Sequence, residues 1–298
     1  MRLEELQLFR RAAALGNLSA AGRELGLSPA TASARLQALE KSLGAALFVR
    51  TTRRIALTEE GEHFLPHAER ALDELEAGRT AVRGDEGAPS GTLRASIPGP
   101  FGQKHVLPFL PEFLETYPEL RLDLHVSDEI VNLVEGGYEV VIRVGPLTDS
   151  ALKATRLAPN RRVVVASPAY LARRPAPQAP EDLAAHDCML HGETRIWRFL
   201  RGGEERPVRV NGPFHTNTGT ATRDAALHGL GVALKGVWDV GEDLQQGRLV
   251  QLLPDWEMGD VGAIWALRPP SRFASPRARV FIDFLKSKYG ARPYWEID

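Results

Sequence analysis

Apolar positions recur at helical spacing through the first quarter of the chain and then give way to alternation. Leu3, Leu6, Phe9 and Ala13 mark one face of an opening helix. The stretch from Leu18 to Leu43, LSAAGRELGLSPATASARLQALEKSL, predicts two short helices and a tight turn. Ser19 is the expected cap of the first, Ala20, Ala21 and Leu25 its apolar contacts, and Gly26 the residue whose positive φ ends it. Ser28 then offers a hydroxyl to the orphan N–H groups of the second helix, and Pro29 stands where a missing N–H costs nothing. Ala32, Leu36, Leu39 and Leu43 are its expected buried face. The opposite face begins with Pro29, Ala30, Thr31, Ser33 and Ala34, which carry little bulk and no negative charge. A helix start of this kind fits a DNA major groove, beside base edges and thymine methyls.

Two short strands follow, Leu47-Phe48-Val49-Arg50 and Ile55-Ala56-Leu57, around the basic tip Thr51-Thr52-Arg53-Arg54. Together with the helix pair they predict a winged helix-turn-helix with Arg50, Arg53 and Arg54 on the wing. Thr58 caps a long helix with Glu59 and Glu60 in its first turn, where the helix dipole favours acids. Its stripe of Leu65, Ala68, Leu72 and Leu75 has coiled-coil-like spacing, so the same helix of a second subunit is the expected partner. Pro66 lies past the first turn and predicts a bend. Residues 84–91, GDEGAPSG, read as a linker.

From Thr92 strands and helices alternate. Leu93, Ala95 and Ile97 form a strand, then comes a Pro-Gly-Pro turn. Val106, Leu110, Phe113, Leu114 and Tyr117 form a helical face, and Leu120, Leu122, Leu124 and Val126 a second strand. Ser127-Asp128 is expected to cap a helix that Gly136-Gly137 ends, before a buried strand from Val140 to Val144. This order predicts a parallel-rich sheet with helices on both faces. A second set follows: a strand from Arg161 to Ala166, a helix opened by Ser167-Pro168, a helix from Thr220 to His228, and a strand from Leu230 to Leu234. Ser275-Pro276 opens a last helix with Val280, Phe281, Phe284 and Leu285 on its apolar side. Two α/β lobes are expected.

Residues 2–61 resemble the DNA-binding module of the LysR-type bacterial transcriptional regulators. Ala20-Ala21, Leu25, Ser28, Ser33, Leu39-Glu40, Leu43-Gly44, Leu47-Phe48, Arg50, Arg53, Leu57-Thr58 and Gly61 carry the resemblance. The chain departs from the family at Ala34, where many members have a basic or bulky polar residue; Arg35, next along, projects elsewhere. Residues 91–290 resemble the effector-binding domain of the same regulators through LPFLPEFLETYPELRLDL, ASPAYLARR, GLGVAL, EDLQQGRLVQLLPDW and SPRARVFIDFL. The resemblance implies a two-lobed α/β domain like that of periplasmic solute-binding proteins, with chain crossings near Asn160 and near Leu267 to Pro269. The expected organisation is a multidomain chain. A winged helix-turn-helix occupies 1–58, a linker helix and hinge 59–87, and an effector-binding domain 88–298. Lobe I is expected at 88–161 and 268–298, and lobe II at 162–267.

Charge supports this division. The chain of 298 residues has a net charge of −1, yet residues 1–57 hold nine Lys or Arg against four Asp or Glu, leaving 28 against 34 beyond. Only the N-terminal module has the balance of a phosphate-binding surface. The 43% hydrophobic and 25% charged content is that of a soluble globular protein. With no apolar run of membrane-spanning length and charges throughout MRLEELQLFRRAAAL, the expected location is the cytoplasm. The single cysteine, Cys188, excludes an intramolecular disulfide.

His186, Cys188 and His191 have spacing compatible with a metal, but no fourth ligand is evident, and nothing marks Cys188 as an activated thiolate. Gly229-x-Gly231 lacks a third glycine and precedes its strand. No catalytic set and no cofactor is implied. Two functions compete: a regulator that binds double-stranded DNA and a small-molecule effector as a dimer or tetramer, and a cytoplasmic solute-binding or catalytic α/β protein whose helical N-terminus only dimerises. The basic wing and the Ser28-Pro29 helix favour the regulator.

Ligands of open α/β sheets settle beyond the carboxyl ends of strands. In lobe I these are Pro98, Gly99, Pro100, Phe101 and Gly102, then Asp128, then Arg143 to Gly145. Resemblance adds Thr216, Asn217, Thr218 and Lys235 from lobe II. A helix start after Pro98, with Arg143 and Lys235, points to a small organic anion. The competing reading ties Arg143 into an ion pair with Asp128 or Glu139.

Overall fold

The computed structural model describes residues 1–50, 55–83, 89–129, 131–133, 136–147, 151–270 and 275–297. It divides into two compact units, Met1–Gly87 and Ala88–Asp298.

The first unit holds helices α1 (Leu3–Leu15), α2 (Leu18–Glu24) and α3 (Pro29–Leu43), the antiparallel strands β1 (Phe48–Arg50) and β2 (Ile55–Leu57), and helix α4 (Glu59–Arg83). Asn17, not Ser19, caps α2: its side chain accepts from the Ala20 N–H at 2.9 Å. The cap must precede the first helical turn, and Ser19 already lies inside it. Gly26 has φ +69°, and Ser28 caps α3 as expected, accepting from the Thr31 N–H. Glu40 explains why a carboxylate follows Leu39. Its Oε1 accepts from the Leu47 N–H at 2.8 Å and the Phe48 N–H at 3.4 Å, fastening α3 to the wing. Thr58 donates to Ala46 O at 2.7 Å and accepts from the Gly61 N–H at 2.9 Å. A Cβ on Gly61 would lie 2.2 Å from Leu47 O, so only glycine fits there.

The core of this unit joins Leu8, Phe9, Ala12, Ala32, Leu36, Leu39 and Phe48 to Ala68 and Leu72 of α4. This corrects the expected subunit stripe. Leu72 is only 6% exposed within its own chain, whereas Leu75 is 51% exposed. Three residues separate them, and the part of α4 that packs into the core of this unit reaches Leu72. Helix α4 runs through Pro66 unbroken. Leu43, expected in the core, is exposed at the end of α3.

Lobe I of the second unit is built on a five-stranded sheet. Its strands are β3 (Gly91–Ile97), β4 (Leu120–Val126), β5 (Val140–Gly145) and β6 (Lys153–Pro159), completed by one that returns from lobe II. Between β3 and β4 stand α5 (Gly99–His105) and α6 (Leu110–Thr116). Lobe II follows, with β7 (Arg162–Ala166), α7 (Pro168–Leu171), β8 (Leu190–His191), β9 (Ile196–Arg201), β10 (Glu204–Arg209), β11 (His215–Thr216), α8 (Gly219–Leu227), β12 (Ala233–Gly236), α9 (Val237–Gln245), β13 (Val250–Leu252) and β14 (Glu257–Met258). The chain then returns as β15 (Ala263–Arg268) and ends with α10 (Pro276–Tyr289).

The lobe I order is β4-β3-β5-β15-β6, parallel from β4 to β5 and antiparallel at β15. Because β15 pairs with β5 and β6, the second crossing lies before it, at residues 259–262 and not at 267–269. Lobe II therefore ends near Met258, and β15 and α10 belong to lobe I. The Pro-Gly-Pro segment is not a turn: Gly99 and Pro100 open α5.

Helices α5, α6 and α10 cover one face of the sheet through Phe101, Phe113, Phe281 and Leu285. The other face is covered by Val131, Leu133 and Tyr138 from a segment with no helix among its described residues. Asp128 reaches away to the Gly99 N–H instead of capping that segment. In lobe II, β12, β7 and β13 form an antiparallel sheet, with β8 and β11 paired in parallel.

Candidate DNA-binding and effector sites

On the first unit, Ser28, Pro29, Ala30, Thr31 and Ala34 are exposed at the start of α3, and Ser33 and Arg35 are half-buried. The Ser28 hydroxyl lies 2.8 Å from the Thr31 hydroxyl and accepts from its N–H at 3.2 Å, so Thr31 is held by the cap. Arg50 ends β1, but its side chain, with Arg53 and Arg54, lies outside the described residues. Arg10 pairs with Asp73 at 3.6 Å and Arg11 with Glu24, so both guanidinium groups already have internal partners.

In the second unit the predicted effector residues separate by environment. Pro98, Gly99 and Pro100 are half-buried at the end of β3, but Phe101 and Gly102 face the core. Phe101 is fully buried, 5.4 Å from the Trp238 ring and 6.0 Å from those of Tyr289 and Trp295, so it cannot contact a ligand. Gly145 has φ +130° and accepts from Trp265 Nε1 at 3.0 Å. Asp128 Oδ1 accepts from the Gly99 N–H at 3.0 Å, so the start of α5 already holds an anion from its own chain.

Arg143 is tied to neither carboxylate. It donates a 3.2 Å hydrogen bond to Val131 O, and burial lowers its pKa. Glu139 instead holds Arg277 at 3.1 Å through both oxygens.

Lys235 is not free to attract a ligand. It is buried and donates to Gly219 O at 2.6 Å and Thr222 Oγ1 at 3.3 Å, with Nζ 2.9 Å from Asp239 Oδ2. Burial pulls its pKa down, against the pull of Asp239. For Asp239 burial works the other way, yet Lys235 and Lys104 outweigh it and the pKa falls. Lys104 comes from α5 in lobe I, so Asp239 is gripped from both lobes.

Further contacts join the lobes. Asn160, at the first crossing, donates to Val261 O at 2.6 Å in the second crossing and accepts from Trp238 Nε1 at 3.1 Å. Arg161 meets Glu296 at 2.7 Å. His105 is buried with both ring nitrogens engaged, at 2.7 Å from Trp238 O and 2.7 Å from the Tyr294 hydroxyl. Trp238 O can only accept, so Nε2 donates to it and Nδ1 accepts from Tyr294. Burial lowers the His105 pKa to about 4.

Two residues that sequence reasoning missed complete the junction. Arg162, at the start of β7 and opposite Gly236, donates to Leu234 O at 3.4 Å, and among the described residues no carboxylate pairs with it. Burial draws its pKa down to about 10, so it stays charged near neutrality. His191 ends β8 and lies 3.2 Å from Asn217 O through Nε2. Its ring is exposed at the end of the strand, and its pKa is lowered by partial desolvation and by the positive charges of Lys235 and Arg162, against the Asn217 carbonyl and Asp128. Thr216 Oγ1 accepts from the Thr218 N–H at 3.2 Å, fixing the loop that presents Asn217. The signal for Arg162 was its place two residues past the crossing; that for His191 was its place at the carboxyl end of a strand.

The three residues weighed as a metal site diverge. His186 Nδ1 lies 3.1 Å from the Tyr170 hydroxyl, His191 bonds Asn217, and Cys188 is buried with its thiol 3.7 Å from Leu183 O. Burial raises the Cys188 pKa to about 12.

Residues 3–62 match the family described as bacterial regulatory helix-turn-helix protein, lysR family, and residues 86–290 match the LysR substrate binding domain. The chain is 35% identical to the transcriptional regulator PtxR of Pseudomonas aeruginosa, over 99% of this chain and 95% of that one. With DmlR of Escherichia coli it shares 33% identity, over 98% and 95%. Similar solved structures include the LysR-type regulator CrgA from Neisseria meningitidis (TM-score 0.61, 32% identity, 96% of this chain and 98% of that one). The Vibrio cholerae virulence activator AphB gives a TM-score of 0.59 at 30% identity, over 96% and 99%. Helix-turn-helix, two-lobed α/β domain and sequence agree: the chain belongs to the LysR family of transcriptional regulators, which bind DNA and respond to a small-molecule effector.

Proposed function

We propose that this regulator senses a small organic anion at the junction of its two lobes. The observation that carries the reading is a pair of guanidinium groups, Arg143 in lobe I and Arg162 in lobe II, each bonded to a backbone carbonyl and to no carboxylate among the described residues. A half-buried guanidinium presents five N–H donors, and leaving most of them without an anionic partner is costly. A carboxylate supplies the partner. Pro98, Gly99, Pro100, Asp128, Gly145, Thr216, Asn217 and Thr218 remain further candidates for contact with the effector. Lys235 and Phe101 drop out of the contact set, the first neutralised by Asp239 and the second in the core.

The start of α3 and the wing arginines form the DNA contact: Ser28, Pro29, Ala30, Thr31, Ser33 and Ala34 beside base edges, Arg35 next to them, and Arg50, Arg53 and Arg54 at phosphates. The protein acts in the cytoplasm without catalysing a reaction. It works as a dimer through α4, and as a tetramer of two dimers. No described helix is long and apolar enough to cross a membrane.

A gel-shift titration on the DNA upstream of its own gene tests the reading. Organic acids are expected to change operator affinity or the mobility of the complex, and neutral analogues to leave both unchanged. A response confined to neutral compounds would defeat it.

A further inference from the structure

The segment that follows α10 belongs to both lobes. Gly290 ends the helix at φ +64°, and Pro293 keeps it from resuming. Tyr294 and Trp295 turn into lobe I. The Trp295 ring is buried with its centroid 4.4 Å from that of His105, 5.0 Å from Tyr289 and 6.0 Å from Phe101. Glu296 and Ile297 turn into lobe II. Arg161, just before β7, donates to Glu296 Oε2 at 2.7 Å and to Ile297 O at 2.9 Å, and its own carbonyl accepts from the Val237 N–H that opens α9. Ile297 packs against the lobe II cluster that includes Val163, Ala233, Val237 and Val240.

Helix α9 is shaped to receive this segment. Gly241 lies inside the helix without a positive φ, at a place where glycine weakens a helix relative to alanine. A Cβ there would lie 2.7 Å from Trp295 O, so the missing side chain makes room for the backbone of the segment. In return, Trp238 of α9 packs against the lobe I core, 5.4 Å from the Phe101 ring. Trp295 Nε1 and Glu296 Oε1 are buried without a hydrogen-bond partner among the described residues. Packing and the Arg161 pair therefore hold the segment where two of its polar groups would gain partners by leaving.

We propose that residues 291–297 are a strap across the two lobes. Seated on Gly241 and Arg161, the strap fixes the angle between them, and a change of that angle has to unseat Glu296 and Ile297 from lobe II. An effector that alters the angle works against the strap.

Spin labels read the angle in the full-length protein. Asp283→Cys on α10 of lobe I and Asp255→Cys between β13 and β14 of lobe II place them at exposed positions. The background is Cys188→Ala, diluted with unlabelled protein so that only distances within one chain are measured. A single narrow distance is expected. Deleting residues 296–298 should broaden it or add a second distance. Gly241→Ala should do the same without shortening the chain, by pushing the Trp295 backbone off α9. It should also lower the melting temperature by about 2 °C or more, although alanine is the better helix former. A distance left narrow and unchanged by Gly241→Ala, or a melting temperature that this substitution raises, would overturn the inference.

Discussion

Lys104 and Asp239 bind the two lobes to each other: Nζ on α5 of lobe I lies 2.8 Å from Oδ1 on α9 of lobe II, and it also donates to the Asp239 carbonyl. The same carboxylate faces buried Lys235 through its other oxygen. Asp239→Asn leaves a buried ammonium with no anion, a loss on the order of 3–5 kcal/mol. Lys104 is a third exposed, so Lys104→Ala should cost only about 1 kcal/mol after solvent screening. Urea unfolding of the two variants should show this inequality. Equal costs would mean that the link between lobes, not the burial of Lys235, dominates.

His105 makes stability depend on pH. Its pKa in the folded protein is about 4, below the ordinary 6.5, because burial disfavours the charged ring. Above pH 6.5 both states are neutral and nothing is lost. As pH falls from 6.5 to about 4 the unfolded chain takes up a proton that the native state refuses, so stability drops. At 1.36 kcal/mol per pH unit the loss is on the order of 3 kcal/mol. His105→Gln should be less stable at pH 7 and lose less between pH 6.5 and 4.5, as denaturation midpoints across that range would show. Asp239, with its lowered pKa, adds stability that is present above the ordinary carboxylate range and lost only below it.

Leu72 and Leu75 separate folding from assembly. Leu72 sits in the core of the first unit, so Leu72→Asp should destabilise that unit by about 3 kcal/mol or more. Leu75 is exposed on the same helix, so Leu75→Asp should keep the melting temperature and weaken self-association. Light scattering with thermal melts distinguishes them. A full-size oligomer for Leu75→Asp would take that position out of the interface.

The DNA surface gives a graded set. Ser28→Ala removes the cap of α3 and the hydroxyl partner of Thr31, at about 1 kcal/mol. Thr31→Ala or Ser33→Ala should alter sequence preference with little effect on folding. Arg53→Ala is expected to weaken binding to all sequences and to flatten the salt dependence by about one phosphate contact. Fluorescence anisotropy across a salt series measures this. An unchanged slope for Arg53→Ala removes it from the phosphate contacts.

What could be read in advance depended on how local each signal was. Ser28-Pro29, Thr58 with Gly61, and Ser167-Pro168 are caps whose partners lie within a few residues, and the structure places them as expected. The α4 stripe was legible as a buried face, but spacing alone does not say whether the burying surface belongs to the same chain, and Ala68 and Leu72 proved to be in their own core. Ser127-Asp128 looked like a helix cap because Asp128 was read against its own neighbours, whereas its carboxylate is used 29 residues away by Gly99. Lys235 looked like a cleft cation because its partner Asp239, only four residues on, lies across the strand end in the first turn of α9. Arg162 was hidden as one more residue in a strand, and only the absence of a carboxylate beside it among the described residues marks it out.

The central claim is that guanidinium groups from both lobes hold the effector. Isothermal titration of a binding organic acid against wild type, Arg143→Ala and Arg162→Ala, with matched melting temperatures as the folding control, tests it most directly. Each substitution should lower affinity by about tenfold or more, as expected for the loss of a charge-assisted hydrogen bond. Undiminished binding by Arg162→Ala would contradict the account.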